Sequence, residues 1–397
     1  MSRYCFDPQA PVALTPCGGY DDATVTAALT AVLAPLGGLD WVTPGMTVGI
    51  KANLVSAMKP EECATTHPSL LCALTRMLRE RGATVIIGDS PGGVYTAAFV
   101  NHVYHASGME ACEAVGARLN RDLGTVDTTF PEAKVLKQFT YTAWLDTCDA
   151  IVDFCKLKSH GMMGMSAAAK NLFGVIPGTM KPEYHFRFPN MADFSNMLVD
   201  INDYFAKKVK LCLVDAVEGM EGNGPTKGTP RHIGLLLAST SPHTVDAVCA
   251  RLIGLTEDAV PTLTAARERG LLPEEIPLIP VGMTDAADYV VKDFEHVAVR
   301  HGHLFDSRGK LISKALEALL TSRPKLKASE CIGCGKCAGI CPAKAIAMEA
   351  KQTGKSKKAV IDRDKCIRCF CCQEFCPVGA MKVHRTWIAR MLVKSKK

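Results

Sequence analysis

Eight cysteines near the C-terminus carry the most specific chemistry in the chain. They read Cys331-x2-Cys334-x2-Cys337-x3-Cys341-Pro342 and then Cys366-x2-Cys369-x2-Cys372-x3-Cys376-Pro377. Thiolates suit iron–sulfur clusters, and a CxxCxxC loop is short enough to wrap three of them around one cubane. The fourth cysteine of each run follows after three intervening residues, in a short helical stretch pointing the other way, with a proline that turns the chain after it. Zinc is the competing reading. A zinc site takes four ligands in two pairs, however, and gives no reason for one four-cysteine run written twice. Disulfides would want a secretory context, and the opening MSRYCFDPQAPVAL has no basic stretch followed by an apolar one.

The double run closely resembles the bacterial two-cluster ferredoxin family. In that family the fourth cysteine of each run ligates the other cluster. The resemblance implies one [4Fe–4S] cluster on Cys331, Cys334, Cys337 and Cys376, and a second on Cys366, Cys369, Cys372 and Cys341. Cys371 adjoins Cys372, but only Cys372 keeps both spacings, so Cys371 is expected to be a spectator thiol. Cys5, Cys17, Cys63, Cys72, Cys112, Cys148, Cys155, Cys212 and Cys249 show no pair spacing and are expected to be small buried hydrophobes.

A chain of 397 residues, 48% of them hydrophobic, can fill the core of a large domain and still carry a small one. The expected division is an α/β domain over 1–322 and a cluster module with a basic tail over 323–397. No run approaches the length of apolar sequence that spans a membrane. With so many cysteines and no secretory signal, the expected compartment is the cytoplasm, in an anoxic cell. The net charge of +6 is unevenly spread: from residue 323 onward there are 18 Lys/Arg and 5 Asp/Glu, or +13, which leaves −7 for the rest. That excess suits docking on the acidic large domain or on an acidic electron donor such as a ferredoxin or flavodoxin. Lys351, Lys355, Lys357, Lys358 and the SKK tail raise nucleic acid as a partner, but they lack the interleaved aromatics that such binding uses.

The elements that must position any further site read as an α/β layer with mostly parallel strands. A helix is expected over 22–36, capped by Asp21 or Asp22 and stopped by Gly37-Gly38. Strand 47–51, helix 68–81, strand 83–87 and a helical 95–106 follow. Further on come strand 149–155, helices near 164–173 and over 193–206, strands 210–214 and 233–238, and helix 242–253. A helix over 303–322 closes the large domain, and 321–329 (TSRPKLKAS) reads as the linker.

In open α/β sheets ligands gather at the carboxyl ends of strands. Four such segments carry polar groups here: Lys51 and Asn53 with Thr65-Thr66-His67; Asp89 and Ser90 within GDSPGG; Lys156, Lys158, His160, Lys170, Asn171 and His185; and Asp215, Glu221 and Asn223. Lys156, Lys158 and Lys170, with the two histidines, would make a cationic pocket for a carboxylate or phosphate. The glycines of 88–93 and 222–228 serve turns or cradle a phosphate through backbone N–H groups.

Motifs in this order, KANL at 51, THP at 66–68, GDSPGG at 88–93, KLKSH at 156–160, AKNLFGVIPG at 169–178 and EGNGP at 221–225, resemble the domain-of-unknown-function family 362 over roughly residues 45–300. That family often carries an appended two-cluster ferredoxin. His160, Lys170, Pro177-Gly178 and His185 are more distantly similar to the nickel-pincer lactate racemase family. By that analogy Lys170 would tether the cofactor, His185 ligate nickel and His160 act as base, although Ala167-Ala168-Ala169 stands where that family has a glycine pair. The expected function is an iron–sulfur redox protein whose clusters relay low-potential electrons to the α/β domain. There a small anionic substrate or cofactor would be reduced, with Lys156, Lys158 and Lys170 holding it, His160 or His185 supplying protons, and Asp89, Asp215 and Glu221 orienting these groups or binding a metal. The alternatives are an electron-transfer subunit that docks on a partner enzyme, and a non-redox isomerase.

Overall fold

The structure is a computed structural model that describes residues 6–297, 322–350 and 357–384. Its strands, in chain order, begin with β1 (Val12–Pro16), β2 (Thr47–Ala52), β3 (Thr84–Gly88) and β4 (Arg118–Leu119). A separate hairpin, β5 (Thr125–Thr129) and β6 (Gln138–Thr142), precedes β7 (Ala150–His160) and β8 (Gly164–Ser166). Then come β9 (Val209–Glu221), β10 (Thr229–Ser239) and β11 (Leu278–Pro280). One sheet runs β11-β1-β10-β9-β7-β2-β3-β4, with β8 folded back on β7. The β9-β7-β2-β3-β4 run is parallel, and β10 is antiparallel to both neighbours. The fold is α/β.

Helices cover both faces, as a parallel sheet buried on two sides requires. Asp22–Leu33, Pro68–Glu80 and Ala97–Ala106 pack on one face, and Met191–Phe205, Pro242–Leu252 and Pro261–Glu268 on the other. The first helix starts where Asp21 accepts the N–H of Thr24, and its closing turn ends at Gly37, whose φ of +83° suits a residue without Cβ.

Several elements depart from the expectation. Strands β7 and β9 run on to His160 and Glu221, well past the ends at 155 and 214. Charged side chains at 156, 158, 215 and 218 break the apolar pattern, yet each pairs in the sheet, so the ladder continues. The helix near 164–173 is instead β8, a single turn over Ala168–Asn171 and a tight turn over Leu172–Val175. Arg323–Leu326 is not linker but β12, paired antiparallel with β15 (Met381–His384). Between them β13 (Ile346–Ala350) pairs with β14 (Lys357–Ile361). The helix expected over 303–322 lies, apart from Ser322, outside the described residues.

His243 illustrates what the core costs. It is fully buried, both ring nitrogens lack hydrogen-bond partners, and burial, aided by Arg269, pushes its pKa down to about 3. The unfolded chain therefore binds a proton that the native state refuses between that value and the ordinary histidine pKa of about 6.5. Stability should fall as pH drops through this window, because the unfolded state binds more protons there. A His243→Leu variant is expected to show a flatter acid limb in denaturant midpoint against pH, and an unchanged slope would refute the assignment.

Candidate functional site

Two cavities open in the C-terminal module. Cys331, Cys334, Cys337 and Cys376 line the first; Cys341, Cys366, Cys369, Cys371 and Cys372 line the second. The two cysteine loops repeat in backbone as well as in spacing. Gly333 and Gly335 have φ of +73° and +74°, and their counterparts Arg368 and Phe370 have +57° and +61°. Lys344 and Gly379, each three residues past a fourth cysteine, are at +48° and +63°. Left-handed backbone costs a non-glycine residue about 1–2 kcal/mol, so its repetition at Arg368 and Phe370 shows that loop shape prevails over local preference. The cysteine donor set and the loop curvature fit iron–sulfur clusters. Among the described residues no three His, Cys, Asp or Glu side chains converge closely enough for a single metal ion.

The second loop leads into the short helix Cys371–Glu374, which lies against the α/β domain. Gln373, fully buried, donates Nε2 to the carbonyls of Asn223 (3.0 Å) and Gly224 (2.9 Å). Thr226 Oγ1 donates to the Glu374 carbonyl at 3.0 Å. The Phe375 ring lies so near Gly92 that a Cβ there would sit 2.8 Å from it. The Glu374 carboxylate reaches into the domain, with Oε1 3.0 Å from His160 Nε2.

Strand periodicity puts Lys156, Lys158 and His160 on one face of β7, but their surroundings differ. His160 Nδ1 accepts the N–H groups of Met162 (3.1 Å) and Met163 (3.2 Å), which leaves the ring proton on Nε2, facing Glu374. Burial, with Lys170 next, pushes the imidazole down to about 4, so it is neutral at pH 7. For Glu374 burial acts upward, but His160 and Lys170 prevail and hold it below the usual carboxylate range. Because His160 is itself neutral, its N–H dipole acts on the carboxylate and Lys170 supplies the positive charge. His185 stacks on Phe194 at 4.3 Å, and burial lowers it to about 3. Lys170 lies over the Phe173 ring at 5.1 Å; burial lowers its pKa, against the pull of Glu374.

Three buried polar atoms in this group, His160 Nε2, His185 Nδ1 and Glu374 Oε1, have no aligned hydrogen bond, although the first and last are close. Among the described residues Lys170 Nζ has no hydrogen-bond acceptor or ion-pair partner. Buried polar groups are nearly always satisfied, so this cluster of exceptions is the candidate site.

The other expected site residues are committed elsewhere. Lys156, fully buried, pairs with Asp215 at 2.7 Å and donates to Tyr20 Oη and the Glu218 carbonyl, both at 2.9 Å, so it is not available to an anion. Lys51 pairs with Asp89 at 2.8 Å, and Asp89 also accepts the N–H of Leu54. Lys158 donates to Asn53 Oδ1 (2.6 Å) and the Ala64 carbonyl (2.5 Å), and burial lowers it to about 7. Asn53 continues to Asn171 at 2.7 Å, and Asn171 to Asp153 at 2.6 Å. Glu221 lies 3.8 Å from Arg231 and accepts the N–H of Glu295, and Asn223 holds the module through Gln373. Asp89, Asp215 and Glu221 thus form no common metal site among the described residues. The glycine turns cradle no phosphate through their main donors: Ser90 N–H goes to Gly174 and Asp89, Gly92 N–H to Val55, and Gly222 N–H to Glu295.

Sequence reasoning missed Glu374, Gln373, Tyr20 and Lys181. Lys181 donates to the carbonyls of Ser90 (2.7 Å) and Ile176 (2.6 Å), and burial lowers it to about 7. Nothing local singles out these four. For Glu374 the one available signal was its place within a cysteine loop.

Among known proteins, a 4Fe-4S dicluster domain matches residues 330–380, and a domain of unknown function, DUF362, matches residues 48–251. A thylakoid-associated protein of Synechocystis is 31% identical over 269 residues, 66% of this chain and 80% of that one. Two solved structures align at low similarity. The lactate racemase apoprotein of Thermoanaerobacterium thermosaccharolyticum has a TM-score of 0.38 at 12% identity, covering 62% of this chain and 59% of that one. A Thermotoga maritima protein has a TM-score of 0.33 at 13% identity, covering 64% of this chain and 59% of that one. The alignment thus spans about three-fifths of each solved chain, and at such scores neither likeness bears on activity. Among the described residues no helix is long and apolar enough to cross a membrane. The matched ranges and the Synechocystis relative make this chain a member of the DUF362 family that carries a 4Fe-4S dicluster domain.

Proposed function

We propose that this chain is a cytosolic iron–sulfur redox protein in which a cluster module (323–397) serves reduction of a small anionic substrate on the α/β domain (1–322). Cys331, Cys334, Cys337 and Cys376 would hold one [4Fe–4S] cluster, and Cys366, Cys369, Cys372 and Cys341 a second. Bound there, the clusters would supply single electrons at low potential. The observation that carries the reading is the helix Cys371–Glu374: its first residues line the second cysteine cavity, while Glu374 meets His160 at 3.0 Å.

In this reading Lys170, the one of Lys156, Lys158 and Lys170 left without a hydrogen-bond or ion-pair partner among the described residues, binds the anion. His160 presents Nε2–H to it, oriented by the two backbone N–H groups on Nδ1. A neutral imidazole held this way donates a hydrogen bond, and the proton falls to Lys170, whose pKa burial lowers. Glu374 keeps the group electrically balanced, and the docked module excludes water, which strengthens every charge interaction inside.

The test is a calorimetric titration of the anoxic, iron-loaded chain with small carboxylates and with inorganic phosphate. At least one should bind, and Lys170→Met should weaken it by about tenfold or more, the scale of one charge-assisted hydrogen bond. If none binds, or if Lys170→Met binds equally well, the substrate site is wrong and the carrier reading replaces it. Turnover of a bound ligand without any reductant would favour the isomerase reading.

A further inference from the structure

The two cysteine cavities differ in what surrounds them. The second is flanked on one side by the α/β domain: Phe370, Cys371 and Cys372 are buried, and Phe370 and Gln373 lie against Gly161. The first faces outward. Cys334 is exposed, and two of its lining residues, Ile332 and Val378, are 62% and 42% exposed. They are among only five large hydrophobic side chains so exposed among the described residues, and they share one cavity mouth. Large apolar groups left in water beside a functional cavity mark an interaction surface.

The rim of that mouth is basic. Lys336 stands exposed between Cys334 and Cys337. Lys327 and Lys382 flank Cys331 and share one acid, Glu330, at 2.6 and 3.3 Å. Lys227, from the α/β domain, packs against Gly379 just past Cys376. Four lysines and one glutamate therefore stand next to, or within two residues of, the lining of the first cavity.

We propose that this mouth is the docking surface for a small acidic one-electron carrier protein, with Ile332 and Val378 as the apolar centre and the lysines as the steering rim. The inference rests on the reading of the module as cluster-bearing. Charge complementarity selects the partner: a basic ring around an apolar centre steers an acidic protein and fixes its orientation, while the apolar centre admits close approach. Redox complexes of this kind bury little area and bind weakly, which suits a two-residue apolar centre. One electron would be exchanged across the contact, the carrier being oxidised as the module is reduced, with no bond made or broken. A bare cationic patch for nucleic acid would not need the exposed isoleucine and valine at its centre.

The experiment is an equilibrium binding titration of the anoxic, iron-loaded full chain with two probes, an acidic ferredoxin and an acidic flavodoxin, at low and high salt. At least one should bind, with affinity falling steeply as salt rises. Ile332→Glu and Lys227→Glu should each weaken that binding by about tenfold or more through like-charge repulsion. Leu278→Glu, a similarly exposed apolar residue on edge strand β11, should not. Iron content of each variant shows whether its module remains intact, and Lys227→Glu changes no residue of the module. The proposal is overturned if neither carrier binds, if both variants bind as wild type does, or if a short oligonucleotide displaces the carrier without sensitivity to Ile332→Glu. The titration uses no substrate, so failure of the reduction site would leave its outcome standing.

Discussion

Replacing Lys156 by methionine is expected to destabilise the protein by about 3–5 kcal/mol, because it strands the buried Asp215 carboxylate without its counter-charge. The pair is dry on both sides, at 2.7 Å with neither side chain exposed. Asp215 also accepts Tyr20 Oη (2.9 Å) and the backbone N–H of His67 (3.0 Å), while Tyr20 stacks on His67 at 3.6 Å. One ion pair therefore ties β7 and β9 to the loop after β1 and to the start of helix Pro68–Glu80. Removing both charges together, as Lys156→Met with Asp215→Leu, should recover much of the loss, since a buried pair often only breaks even against apolar residues. Denaturant midpoints of the two variants check this. A single variant as stable as wild type would refute the role given to this pair.

The second large effect is expected at adjacent thiols. Cys372→Ser should reduce bound iron from about eight atoms per chain to about four, whereas Cys371→Ser should leave it near eight, following the two-cluster ligand pattern. Both line the second cavity, so proximity does not separate them. The loop repeat does: Cys372 occupies the place of Cys337, and Cys371 that of Lys336, which is no ligand. Cys371 also lies within electrostatic reach of Lys170, on the side facing the α/β domain. Iron analysis of anoxically prepared variants decides the matter. If Cys371→Ser lost the iron instead, the loop would be wound one residue out of register with its twin.

The 4Fe-4S dicluster domain, the α/β class and the family were legible in the sequence because each is written in local spacing: thiols at intervals of three, strands and helices bounded by turn residues, motifs in a fixed order. The same locality explains the scattered thiols. Cys17, Cys63, Cys72, Cys112, Cys148, Cys155, Cys212 and Cys249 are all buried, as small apolar residues without pair spacing should be. Cys5 lies outside the described residues.

The tertiary structure alone decided which charges remain available. Lys156, Lys158 and Lys170 look equivalent as cationic residues near one histidine. Asp215, 59 positions beyond Lys156, neutralises the first, and Asn53, 105 positions before Lys158, engages the second. Only Lys170 is left, and the carboxylate nearest to its histidine comes from the other end of the chain, at Glu374. Ion pairing in a dry interior depends on distances of a few ångströms between residues far apart in sequence, and spacing along the chain carries no record of that. The strands β7 and β9 were read short for the same reason: partners supplied by the fold let charged side chains continue a buried ladder that their own hydropathy would end.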